Sequence, residues 1–154
     1  METIVEITGA DEMSALASRL AEYLRPGDII CLTGGLGAGK TRFVQGLAAG
    51  LGIDNPVTSP TFAILKEYKG ADLPLYHFDL YRLDTERELE DIGYSSYLFG
   101  EGVCAVEWGN KIPGIIPAGA LTVDISATET EDRRVVSFTY TDVRWNSIAE
   151  AVTR

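Results

Sequence analysis

The sequence has little of what several large functional classes require. It carries only two cysteines, Cys31 and Cys104, each inside a short apolar run. Neither has metal-ligand spacing, so the pair predicts buried, reduced thiols in a cytoplasmic protein, not a zinc site or a disulfide scaffold. No Lys/Arg cluster occurs, and 13 basic against 23 acidic residues give a formal net charge of −10. Tight, direct binding of nucleic acid needs a basic footprint. If nucleic acid enters the biology, a partner is expected to hold it. No apolar stretch approaches the roughly 20 residues of a membrane span. Residues 1–11 carry acids and no basic patch, so no signal or transit peptide is expected. Repeats, low-complexity tracts and linkers are missing, and 154 residues predict one domain, 1–154, long enough for a real core.

What is present centres on one stretch. Gly34, Gly35, Leu36, Gly37, Ala38, Gly39, Lys40 and Thr41 fit G-x-x-x-x-G-K-[ST], the phosphate-binding P-loop, at every fixed position. The context agrees. Residues 28–33 (DIICLT) read as a buried strand fed by the turn Arg25-Pro26-Gly27. Phe43, Val44, Leu47, Ala48 and Leu51 recur at helical spacing, which predicts a helix over 40–51 with Gly52 at its C-terminal end. Glycines let backbone N–H groups turn inward around a phosphate chain, and the helix start adds unpaired N–H groups and a positive dipole end. Lys40 would reach the β- and γ-phosphates, and the Thr41 hydroxyl would bind Mg²⁺.

The remaining chain reads as α/β. Residues 3–8 alternate as a strand, and 11–24 carry Met13, Leu16, Ala17, Leu20 and Leu24 at helical spacing. Pro60 makes 57–62 (VTSPTF) extended. Residues 62–68 and 75–81 alternate as a hairpin, and 85–92 predict a short helix with Thr85 and Glu88 as a capping box, ended by Gly93. Residues 102–108 form another buried strand, 121–126 and 133–140 a second hairpin, and 145–152 a terminal helix. The expected fold is a P-loop domain with a mixed sheet, parallel at its centre and flanked by helices, and a ligand beyond the carboxyl ends of the parallel strands.

Other residues suggest chemistry at that end. A P-loop site needs a second Mg²⁺ anchor, usually an acid closing a nearby apolar strand, and Glu107 stands there. Thr61 lies on the extended segment after the P-loop helix, where switch residues of some nucleotide hydrolases sit. By period 2, His77, Asp79 and Tyr81 share a face. Asp79 reads as a base, or as an orienter of attacking water near the γ-phosphate. His77 reads as structural. Arg82 pairs with nearby acids or contacts a partner. Trp108 is either core or a stacking surface at the site edge. Asn110-Lys111 begins like the guanine-reading NKxD, but the fourth position is Pro113, which removes the main discriminator for GTP.

With these residues together, the sequence resembles the TsaE (YjeE) family, small bacterial ATPases needed to make threonylcarbamoyladenosine in tRNA. The matching blocks are GGLGAGKT (34–41), VTSPTF (57–62), HFDLYRL (77–83), ELEDIGYSSYL (88–98) and VEWGNKI (106–112). The resemblance implies ATP and Mg²⁺ as cofactors, weak ATPase activity alone, and action at the TsaB–TsaD pair, with tRNA reached through those partners. It supports Thr41 and Glu107 as metal ligands, Lys40, Thr61, Asp79 and Glu107 as catalytic, and Trp108 as nucleotide-contacting. Two positions depart: many members have Asp at Gly35 and a second Thr at Arg42. Adenine contacts are not assigned, beyond the start of the first helix near Met13 and Arg133 or Arg134. The alternatives are a small-molecule kinase on the same loop, although no Arg-rich lid segment is present, and a nucleotide-gated scaffold whose hydrolysis is incidental.

Overall fold

The structure is a computed structural model that describes residues 1–35 and 37–154; Leu36, a member of the glycine loop, lies outside the described residues. Its frame is a seven-stranded sheet of β1 (Glu2–Thr8), β2 (Ile29–Thr33), β3 (Leu65–Tyr68), β4 (Leu75–Asp79), β5 (Val103–Glu107), β6 (Leu121–Ala127) and β7 (Arg133–Thr139). The order is β1-β7-β6-β2-β5-β4-β3. β6, β2, β5 and β4 run parallel. The two expected hairpins, β3–β4 and β6–β7, close the sides, and β1 adds antiparallel to β7. Parallel strands buried on both faces should be apolar throughout. IICLT in β2 and VCAVE in β5 meet that demand.

Alternation along the strands builds two cores. Val103 and Ala105 of β5 pack with α1 (Gly9–Ala21), α2 (Lys40–Gly50) and α5 (Arg144–Val152), while Cys104 and Val106 face Leu89 of α3 (Glu86–Asp91) and Tyr94 of α4 (Tyr94–Tyr97). This parity decides which strand-end side chains can meet the glycine loop, because α2 lies on the first face.

The α1–α2 contact rests on glycines inside α2. A Cβ on Gly46 would fall 2.5 Å from the Ser14 carbonyl oxygen and 2.8 Å from Ala17 Cβ; one on Gly50 would fall 2.6 Å from Ala21 Cβ. Alanine normally favours a helix over glycine by up to about 1 kcal/mol. Here the clash is with backbone, which cannot swing aside, so overpacking wins. Gly46→Ala is expected to destabilise the fold by about 1–3 kcal/mol, read as a lower urea midpoint at unchanged slope.

Several boundaries differ from the sequence pattern. α1 starts two residues before Asp11 and ends at Ala21. The strand expected over 62–68 begins at Leu65, because 61–63 turn and Ile64 has φ +69°; the extended run expected over 57–62 therefore stops before Thr61. The strand expected over 75–81 ends at Asp79, so Tyr81 leaves the face shared by His77 and Asp79. α4 was not expected; Gly93, at φ +79°, ends α3 and caps α4. The capping box is formed: Glu88 N–H donates to Thr85 Oγ1 at 3.2 Å and Thr85 N–H to Glu88 Oε1 at 3.1 Å.

Both cysteines are free and buried, Cys31 in β2 and Cys104 in β5. Burial pushes their thiols up, to about 11 and about 12 respectively. The folded state therefore holds protons that the unfolded chain releases from about pH 9 upward. Stability falls as pH rises through that window towards 11. The expected loss at pH 10 is on the order of 1 kcal/mol per thiol, measurable as urea midpoints at pH 8 and pH 10.

Candidate functional site

The glycine loop leaves β2 and runs into α2 at the carboxyl end of the parallel strands. β6 presses on its first residue: a Cβ on Gly34, whose φ is +139°, would sit 2.4 Å from the Ile125 carbonyl oxygen. Gly39, at φ +118°, is the N-cap of α2, a conformation that residues with a Cβ rarely adopt. Ala38 N–H closes the turn on the Gly35 carbonyl at 3.2 Å. No acid occupies the first turn of α2, so its positive end faces outward uncompensated by its own sequence. Gly35 has no positive φ and open space around its missing Cβ. An aspartate there, as in many TsaE sequences, fits the backbone.

Lys40 folds back over the loop. Its Nζ donates to the Gly34 carbonyl at 2.8 Å and lies 3.9 Å from the Trp108 ring centroid. Trp108 reaches this position because the chain turns into the left-handed region, φ +62°, directly after β5. Burial lowers the Lys40 pKa, and the carboxylates of Glu107 and Asp79 oppose that shift. Tyr81 packs on the Trp108 ring at 5.0 Å between centroids.

Strand parity then brings the acids in. Asp79 ends β4 directly opposite Glu107, which ends β5. Both are buried, and both point to the α2 face by period 2. Asp79 is held through both oxygens: Oδ2 accepts from the Thr61 hydroxyl at 3.0 Å and Oδ1 from the Tyr81 N–H at 2.9 Å. The Ser59 and Thr61 hydroxyls lie 2.7 Å apart. Thr61 is thus tied to the strand end by the residue expected to act beside it. His77, fully buried one step back along β4, puts Nε2 at 2.5 Å from Glu107 Oε2. Its Nδ1 has no hydrogen-bond partner among the described residues. An unpaired buried polar atom costs about 1–3 kcal/mol.

These groups line one cleft of about 340 Å³ that includes Gly37, Gly39, Lys40, Thr41, Thr61, Asp79, Glu107 and Trp108. Every residue singled out as catalytic or metal-ligating is in it. Ser59, Tyr81 and Arg42 also line it and were not singled out, although the extended VTSPTF segment carried a signal for Ser59. A second hollow of about 220 Å³ adjoins the loop on its other side, lined by Ile7, Met13, Ala38, Gly39 and Arg134 among others. Arg134 Nε donates to the Ala38 carbonyl at 3.2 Å, whereas Arg133 faces Glu6 at 4.0 Å. Lys111, of the partial NKxD, pairs with Asp84 at 3.3 Å and donates to the Tyr81 carbonyl.

The donors suit a hard cation held partly by a ligand. Among the described residues no three His, Cys, Asp or Glu side chains converge as a metal cage. Mg²⁺ commonly takes one or two protein oxygens and completes its shell with phosphates and water. Thr41 and Glu107 are oxygen donors on one cleft beside the glycine loop, so they fit that ion. Among the described residues no helix is long and apolar enough to cross a membrane.

Comparison with known proteins agrees with this geometry. The family model described as threonylcarbamoyl adenosine biosynthesis protein TsaE matches residues 7–136. The chain is 44% identical to the tRNA threonylcarbamoyladenosine biosynthesis protein TsaE of Bacillus subtilis, over 94% of this chain and 89% of that protein. It is 38% identical to the TsaE protein of Treponema pallidum, over 82% of this chain and 93% of that one. The crystal structure of Bacillus subtilis YdiB superposes with a TM-score of 0.84 at 36% identity, covering all of this chain and 95% of YdiB. With its glycine loop, SPTF segment, HFDLYR and VEW on a shared fold, and with that family model and those relatives matched over most of its length, the chain belongs to the TsaE family.

Proposed function

We propose that this protein binds ATP with Mg²⁺ in the cleft, hydrolyses it slowly, and serves threonylcarbamoyladenosine biosynthesis in tRNA at the TsaB–TsaD pair. One observation carries the chemical part: Lys40, Thr41, Thr61, Asp79 and Glu107 come from four separate segments and line a single cleft at the strand ends. The biosynthetic part rests on the family.

On this reading the loop N–H groups and the α2 N-terminus cradle the phosphates, and Lys40 neutralises charge at the outer phosphates. Thr41 and Glu107 would hold Mg²⁺, which supplies a positive charge at the phosphate oxygens when bound. Asp79 fixes Thr61 at the site and orients water. Arg42 on α2 is the one arginine among the described residues that lines the cleft, and slow hydrolysis by the protein alone is what the family resemblance implies. The hollow beside Met13 and Arg134 adjoins the glycine loop and is the place this reading gives the adenine. The Lys111 contacts leave a guanine reader without its two charged elements, in keeping with a preference for ATP.

Trp108 offers a direct test of binding. Its ring lies on Lys40 Nζ, whereas Trp145 is buried in the core with its Nε1–H on the Gly119 carbonyl at 2.9 Å. Nucleotide that draws Lys40 off the ring should change the emission of Trp108 and leave that of Trp145 alone. ADP titration is expected to give a saturable fluorescence change that Trp108→Phe abolishes. An equal change in that variant would move the nucleotide elsewhere.

A further inference from the structure

His77 has no role in the chemistry above, yet its place is costly for a core residue. The side chain is fully buried on the α2 face of β4, where Leu75, two residues earlier, simply packs. Among the described residues Nδ1 is left without a partner, a penalty that a leucine or phenylalanine at this position would avoid. What the imidazole makes is one contact, Nε2 on Glu107 Oε2 at 2.5 Å. A carboxylate accepts, so Nε2 carries the proton and donates. Among the described residues Oε1 of Glu107 has no hydrogen-bond partner, and Glu107 lines the cleft. The carboxylate is therefore fixed through one oxygen from behind while the other is left for the site.

We propose that His77 is a positioning residue: its Nε2–H sets the rotation of the Glu107 carboxylate so that the second oxygen meets a divalent cation bound with the nucleotide. The proposal rests on the reading of Glu107 as a cation-holding residue. Its physical basis is general. A group behind a ligating carboxylate removes the rotational freedom that cation binding would otherwise have to freeze, and its loss commonly weakens metal affinity by 10–100-fold. Backbone hydrogen bonds already fix where Glu107 begins, with Leu80 N–H on its carbonyl at 3.0 Å, so the side-chain torsions are what His77 adds.

The test is Mn²⁺ binding, followed by electron paramagnetic resonance, on the full chain saturated with ADP. His77→Phe fills the space without a donor, and His77→Gln returns an amide N–H near the same point. The expected result is that His77→Phe weakens Mn²⁺ by about 10–100-fold, with metal-free ADP affinity within about threefold of the parent. His77→Gln should recover to within about threefold of the parent. Unchanged Mn²⁺ affinity in a His77→Phe protein with a lowered melting temperature would make His77 a core residue only and overturn the proposal. Equal weakening in both variants would overturn it too, because the donor would not matter. Should His77→Phe fail to fold, His77→Asn replaces it: its amide stops one methylene short, so Asn is expected to bind weakly and Gln well, and equal affinities overturn the idea. Glu107→Gln separates the two readings. Parent-like Mn²⁺ affinity in that variant would remove Glu107 from the cation site itself. A loss there with no loss in His77→Phe would sink the positioning role alone.

Discussion

Asp79→Asn is expected to lower ATP turnover by about 100-fold or more while leaving ADP affinity within a few-fold of the parent. The size follows from what a positioned carboxylate contributes at a reacting centre, typically 10²–10⁴-fold. The separation of turnover from binding follows from geometry. Asp79 is buried at the end of β4, and its two oxygens are already taken by Thr61 and by the Tyr81 N–H. It grips the Thr61 segment, and among the described residues its side chain bonds to none of the loop N–H groups. Asn keeps an acceptor oxygen for the Tyr81 N–H and gains an amide N–H that can donate to the Thr61 hydroxyl, so the fold survives. What is lost is the negative charge, which also opposes the lowering of the Lys40 pKa. A single-turnover assay beside a fluorescence binding curve checks both halves. Unchanged turnover would reduce Asp79 to a strand-end acid. A variant that binds ATP, does not hydrolyse it, and still supports repeated tRNA modification would favour a nucleotide-gated scaffold over an ATPase.

The second large effect is at Lys40. Its ammonium is buried against the Gly34 carbonyl and the Trp108 ring, and two carboxylates stand nearby. Charge-assisted hydrogen bonds are worth about 1.5–3 kcal/mol each. Lys40→Ala should therefore weaken ATP binding by about 10–100-fold, the same free energy expressed as affinity, and remove measurable hydrolysis. The loss should exceed that for ADP if, as proposed, Lys40 acts mainly at the outer phosphates. Isothermal titration with each nucleotide measures the difference. Equal losses for ATP and ADP would place Lys40 away from the γ-phosphate.

Much of this site could be read before any coordinates. The glycine loop declares itself through a fixed spacing, and the apolar runs IICLT and VCAVE place it in a parallel sheet because only doubly covered strands are apolar on both faces. Period 2 aimed His77 and Asp79 at the same side. That inference failed at Tyr81, since a strand ends where its ladder ends, and β4 stops at Asp79 with the chain turning behind the Asp79 carboxylate. The early start of a strand at residue 62 failed for a similar reason. Alternation in FAILKEY suits a strand, but the Ile64 N–H bonds back to the Pro60 carbonyl at 2.6 Å and φ at Ile64 turns positive. Long-range pairings were not legible. Nothing local in HFDLY says that His77 lands on Glu107, thirty residues away, because that depends on the β4–β5 register. Gly46 and Gly50 carried no message in the sequence, and the close approach of α1 explains them. The second hollow is assembled from α1, the loop and β7, so no single segment could announce it.

The most direct test of the account is ATP hydrolysis by the purified protein, alone and with TsaB–TsaD, with Lys40→Ala as the blank. Low turnover alone, a clear rise when the partners are added, and none in the blank under either condition are expected. High turnover that ignores the partners would contradict it, and would direct attention to a small phosphoryl acceptor instead.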